Sequence, residues 1–186
     1  RVLFRSPLPD GWCGKLWALE QGRHRVSTEL VLLLDADIRL RPGTVPALLE
    51  KLDNEQLDLV SLMAQLQMHG WWERMLIPAF IFFFKLLYPF HLANGRGRRV
   101  AAAAGGCILV RTSALARCGA FASLKHALID DCTLARRIKD AGGRTWLGLT
   151  HSAISQRGYA HLTDIVDMVA RSAYPQLRYS PVLLGV

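Results

Sequence analysis

Leu30-Val31-Leu32-Leu33-Leu34-Asp35-Ala36-Asp37 decides how this chain reads. Five consecutive apolar residues read as a strand buried on both faces, as strands of α/β sheets are. Two carboxylates then stand at i and i+2, where that strand ends. Alternate residues of an extended chain point the same way, so both acids can serve one site. Ligand sites in open α/β sheets lie outside the carboxyl ends of strands. Mg²⁺ commonly takes one or two carboxylates plus substrate phosphate oxygens, so the pair suits a divalent cation carrying a diphosphate. A solvated strand-end turn or a helix cap has the same short signature, and the tripeptide alone leaves these readings open.

Working outward, residues 7–14 are a Pro- and Gly-rich loop, and residues 15–22 have helical spacing through Leu16, Trp17 and Leu19. After the acidic turn, Arg41-Pro42-Gly43-Thr44 opens a helix with Val45, Leu48, Leu49 and Leu52 at i, i+3, i+4 and i+7. Residues 57–63 form a second strand, giving the strand–helix–strand order of a parallel sheet. Further strands are expected at 107–111 and 145–149. Thr112 or Ser113 caps a helix ending near Gly119. Asp130-Asp131 opens another helix, with Leu134, Ala135 and Ile138 inside and Gly142 as its stop. A last amphipathic helix starts at Thr163 and is ended or kinked by Pro175.

The segment 71–90 is different in kind. It is apolar and aromatic, but Glu73, Arg74, Pro78 and Lys85 interrupt it. It falls short of the ~20 clean apolar residues of a spanning helix. A helix lying in a membrane interface fits better, and a buried core helix is the alternative.

The 186 residues are 51% hydrophobic and 20% charged, which excludes a disordered chain. A formal charge of +8 suits nucleic acid, anionic lipid or phosphorylated substrates. No RNA-binding aromatic signature or helix-turn-helix pattern accompanies the basic residues, so nucleic acid is not expected. Arg96, Arg98 and Arg99 beside the apolar segment favour an anionic membrane surface. Cys13, Cys107, Cys118 and Cys132 have no CxxC pairing and read as reduced core residues. The opening at Arg1 and the apolar close at Val186 read as a piece of a longer protein, with no signal-peptide layout. No linker splits the chain, so residues 1–186 are expected to form one partial domain, with 160–186 as an amphipathic, membrane-proximal segment.

The second acidic site, Asp130-Asp131, sits at a helix start. There the dipole and backbone N–H groups hold a carboxylate ionised with a lowered pKa; an ordinary N-cap with an extra first-turn acid reads the same way. Sugar transfer from a nucleotide donor needs both kinds of acidic group. A cation neutralises the departing diphosphate, and a separate carboxylate takes the acceptor's proton. Of the histidines, only His151, behind a strand, is a candidate third metal ligand, and a surface or capping role is the alternative.

The succession Gly14-Lys15-Leu16-Trp17-Ala18, Asp35-Ala36-Asp37, Gly105-Gly106-Cys107, Asp130-Asp131-Cys132-Thr133-Leu134 and Gln176-Leu177-Arg178-Tyr179 resembles the family 2 glycosyltransferases. Within them it looks most like the hopene-associated membrane enzymes, whose relatives include ceramide glucosyltransferases. The resemblance covers nearly the whole chain. It implies a GT-A type, Rossmann-like α/β domain, incomplete at its N-terminus and carrying interfacial amphipathic helices. It implies Asp35 and Asp37 as the Mg²⁺ or Mn²⁺ and diphosphate motif, Asp131 as general base beside Asp130, and Gly105 and Gly106 on the acceptor side. Lys15 matches an element near the donor nucleotide. Gln176, Arg178 and Tyr179 resemble a shortened Gln-x-x-Arg-Trp motif on the donor pyrophosphate, with Arg171 as an alternative contact.

The function this implies is inverting, metal-dependent transfer from a nucleotide-diphospho-sugar to a lipid acceptor such as a hopanoid at the cytoplasmic face of the inner membrane. The resemblance also implies that the base-binding strand lies outside these residues and that the chain alone does not turn over. A non-catalytic membrane-surface scaffold and another Mg²⁺-dependent phosphate-handling enzyme are the alternatives.

Overall fold

A computed structural model describes residues 7–125, 127, 130–159 and 161–176. Helix α1, Gly14–Arg23, leads into strand β1, Leu30–Leu34, and the acidic turn leads directly into strand β2, Ile38–Leu40. Helix α2, Thr44–Asn54, follows Gly43, whose φ of 83° lies in the left-handed region that glycine enters without strain. Strand β3 is Leu59–Gln65, helix α3 is Trp71–Leu87 and the single turn α4 is Phe90–Ala93. Strand β4, Cys107–Arg111, runs straight into the short helix α5, Thr112–Arg117. Thr112 is its first residue rather than its cap, and its hydroxyl donates to the Thr28 carbonyl. Helix α6 is Asp130–Asp140, strand β5 is Thr145–Ser155 and helix α7 is Leu162–Gln176.

The domain is α/β, as expected, but its sheet is mixed. The strand order is β1-β4-β3-β5-β2. β1 and β3 run the same way, yet β4 lies between them and is antiparallel to both. Only β3 and β5 pair in parallel. The strand–helix–strand order carries direction but not adjacency, and the apolar β4 takes the central place. β1 is therefore an edge strand and is only partly covered.

Alternate residues of the strands enter two cores. Leu59, Ile108 and Val110 pack against Leu115 of α5 and Leu134 and Ile138 of α6. Val60, Leu62, Cys107 and Leu109 pack against Leu48 and Leu52 of α2. Cys107, Cys118 and Cys132 are buried and free, as their apolar surroundings predict, whereas Cys13 is exposed.

α3 is neither a plain core helix nor a free one. Its inner residues Ile77 and Phe84 are buried, the first against Ile165 and Met168 of α7. Glu73, which reads as an interruption in the sequence, is buried in the first turn. It accepts hydrogen bonds from the backbone N–H groups of His69, Gly70 and Tyr159. The bonds from Gly70 and Tyr159 hold its carboxyl below the usual range. α7 continues through Pro175 to Gln176 instead of stopping at the proline. No helix of the described residues is long and apolar enough to cross a membrane.

Candidate active site

The acidic turn leaves β1 at its carboxyl end, where the Asp35 N–H donates to the Gly106 carbonyl, 3.2 Å. Asp37 opens the way into β2. Its Oδ2 accepts from the Ser155 hydroxyl at 2.8 Å, and its carbonyl accepts from the Gln156 N–H at 2.7 Å. The end of β5 thus fixes the second aspartate. Asp130 and Asp131 occupy the first turn of α6. Asp131 Oδ2 accepts the Gly105 N–H at 2.7 Å, and its Oδ1 accepts the Cys132 N–H at 2.7 Å. A Cβ on Gly105 would stand 3.3 Å from Asp131 Oδ2, and one on Gly106 would meet Ile38 at 3.3 Å. The Gly-Gly pair is therefore a close approach between backbone and carboxylate, which any larger residue would open.

Asp35, Asp37, Gly105, Gly106, Asp130 and Asp131 all line one cleft of about 390 Å³. Lys15 lies behind it. Its ammonium stands 3.1 Å from Asp130 and 3.5 Å from Asp35, bridging the two acidic segments. Burial alone pulls the Lys15 pKa down, but the charges of Asp130 and Asp35 outweigh it and raise it above normal.

The Asp131 pKa runs against the helix-start expectation. It is raised from 3.8 to about 6. Desolvation is the main cause and the neighbouring Asp130 charge the next, while the Cys132 N–H, Lys15 and the Gly105 N–H pull the other way without cancelling them. Asp131 keeps a little contact with the cleft solvent, but protein atoms crowd its carboxyl. A base of that strength is ionised at neutral pH and still takes up a proton readily.

Asp35 and Asp37 are the residues that fit a divalent cation. Among the described residues no group of three or more His, Cys, Asp or Glu side chains forms a complete metal cage. Two carboxylates open to a cleft match the manner of Mg²⁺, which leaves its other positions to phosphate and water. His151 does not line this cleft: it lies within β5, with Nδ1 3.1 Å from Gln65 Oε1. Arg171 and Gln176 fall in the last part of α7, where the structure describes no side chains, and Arg178 and Tyr179 lie outside the described residues.

Several lining residues escape a reading of the sequence. Met63, Leu66, Phe80, Ile81 and Phe84 give the same cleft an apolar wall, and Ser155, Arg157 and Tyr159 also line it. The signal for Ser155 was present in the alternation that continues β5 beyond Gly148. The wall has no local signal, because it forms only when the inner face of α3 meets β3.

An α/β domain with paired acids at a strand end, and a tuned carboxylate across a Gly-Gly turn, has the parts of a group-transferring enzyme. The chain belongs to glycosyl transferase family 21, whose family model matches residues 2–182. No curated protein matches it. Among solved structures it is similar to mannosyl-3-phosphoglycerate synthase from Rubrobacter xylanophilus, with 17% identity and a TM-score of 0.44. That match covers 89% of this chain and 50% of the synthase, so the chain spans half the length of that protein.

Proposed function

We propose that this domain transfers a sugar from a nucleotide-diphospho-sugar to an acceptor hydroxyl, with Asp131 as general base. The observation that carries the reading is a single cleft holding both the Asp35/Asp37 pair and a carboxylate whose pKa is raised to about 6. Asp131 removes the hydroxyl proton as that oxygen bonds to the anomeric carbon. The bond from that carbon to the diphosphate breaks, and its electron pair leaves with the diphosphate. A single displacement, with Asp131 as its one base, inverts the anomeric centre. Asp35 and Asp37 would hold Mg²⁺ or Mn²⁺, which supplies positive charge for the departing diphosphate. Lys15 keeps Asp35 and Asp130 in register.

The apolar residues lining the same cleft favour an acceptor with a hydrophobic body, a lipid such as a hopanoid. Placement at the cytoplasmic face of the inner membrane follows from the sequence resemblance. Calorimetric titration with Mn²⁺ and nucleoside diphosphates tests the site. Binding should require the metal and vanish in Asp35→Ala and Asp37→Ala. Metal-independent binding, or none in the wild-type chain, would count against the reading.

A further inference from the structure

Between residues 71 and 99 the chain has one carboxylate, Glu73, and it is buried. In the same stretch Arg74, Lys85, Arg96, Arg98 and Arg99 are all exposed. Among the described residues no carboxylate pairs with Arg96, Arg98 or Arg99.

The outer face of α3 is apolar. Trp71, Met75, Pro78, Phe82 and Leu86 recur at i, i+4, i+7, i+11 and i+15, which is one stripe of a helix. All five are exposed, Trp71 to 74%, Phe82 to 69% and Leu86 to 66%. Arg74 and Lys85 fall along one flank of that stripe, where long stems can lie on apolar surface and lift their charges to its rim. Contiguous exposed apolar surface of this kind marks a contact face.

The loop beyond α4 is shaped by two cations of α6. Lys139 is 3% exposed, and among the described residues no carboxylate pairs with it. Its ammonium donates to the carbonyls of Ala93 (2.6 Å), Gly95 (3.0 Å), Gly97 (3.2 Å) and Val100 (2.9 Å). Arg136, one turn earlier, donates to the carbonyls of Arg98 and Arg99. With the backbone oxygens turned onto α6, the side chains of Arg96, Arg98 and Arg99 are left in solvent. Phe84 of α3 holds α4, the turn that leads into this loop, through ring contact with Phe90 at 6.5 Å. These five cations have one sign, and an anionic partner answers that charge.

We infer that the outer face of α3 and the arginine loop form one docking surface for a bilayer containing anionic phospholipid. The inference rests on the membrane placement under Proposed function and names the surface and the lipid charge. An aromatic and aliphatic face with a basic flank lies in the headgroup boundary, and each nearby arginine adds attraction to anionic lipid. A nucleic acid would answer the charges but leave the apolar stripe bare.

The test is co-sedimentation of the chain with vesicles of phosphatidylcholine alone and of phosphatidylcholine mixed with phosphatidylglycerol. The wild-type chain should bind the mixed vesicles more tightly, and less so as salt rises. Phe82→Glu/Leu86→Glu should lose binding to both, and Arg98→Ala should weaken binding to the mixed vesicles about fivefold. No vesicle binding, equal binding by the double variant, or indifference to phosphatidylglycerol would overturn the inference. So would a dimer in solution that the same double variant dissolves, because the stripe would then belong to a second copy. Neither variant touches the cleft, so each should bind Mn²⁺ and nucleoside diphosphate as the wild type does. Vesicle binding without nucleotide binding would sink the transfer reading alone; nucleotide binding without vesicle binding would sink this one alone.

Discussion

Replacing Asp131 by Asn should flatten the dependence of stability on pH between about pH 4 and pH 6. In the folded chain the Asp131 carboxyl is raised from 3.8 to about 6, through burial first and Asp130 second. About two pH units at 1.36 kcal/mol each amount to roughly 3 kcal/mol. The sign follows from proton binding. Between the two pKa values the native state holds the proton and the unfolded chain does not, so stability falls as pH rises. The stabilisation is complete below pH 3.8 and is gone once the pH has risen through about 6. Asn cannot titrate and loses this slope. Its amide NH₂ would face one of the two N–H donors, Gly105 or Cys132, at a pH-independent cost of about 1–3 kcal/mol. The informative quantity is therefore the change in the gap between wild type and variant. Urea unfolding of both chains across this range should show that gap shift by roughly 3 kcal/mol, in the variant's favour at the higher pH. Parallel profiles, or a shift in the opposite direction, would mean that Asp131 is not a poised base and would refute the reasoning.

Other consequences can be measured directly. Lys139→Met strips the donor from four carbonyls and should lower the urea unfolding free energy by roughly 3 kcal/mol. Ser155→Ala removes the hydroxyl that orients Asp37 and should weaken Mn²⁺–nucleoside diphosphate binding about tenfold in calorimetry, with little change in stability. Gly105→Ala sets a methyl 3.3 Å from Asp131 Oδ2. Displacing the carboxylate from its N–H donor should reduce sugar transfer far more than nucleotide binding, and steady-state kinetics beside a titration separates the two.

Much of the site was legible because its signals are local. A run of five apolar residues ending in two acids, a Gly-Gly pair and an acidic helix start each show in a short window, and the structure brings all three to one cleft. What failed depends on distant partners. The placing of β4 between β1 and β3 is decided by pairing, not by any pattern within β1. β5 runs through the polar Thr150, His151 and Ser152, which interrupt an apolar reading but alternate as a half-covered strand should. The raised pKa of Asp131 is not legible, because the helix terminus is visible in sequence whereas the burial of its carboxyl is not. Glu73 and Lys139 look like surface charges until their backbone partners, far along the chain, are known.

The decisive measurement is sugar transfer by Asp131→Asn beside the wild type, with nucleotide-sugar donors and a lipid acceptor, assayed as the family 21 enzyme in membranes. If Asp131 is the base, transfer should fall by about 10²–10⁴-fold while metal-dependent nucleotide diphosphate binding stays close to the wild type. Wild-type turnover from Asp131→Asn would contradict the proposed chemistry of this cleft.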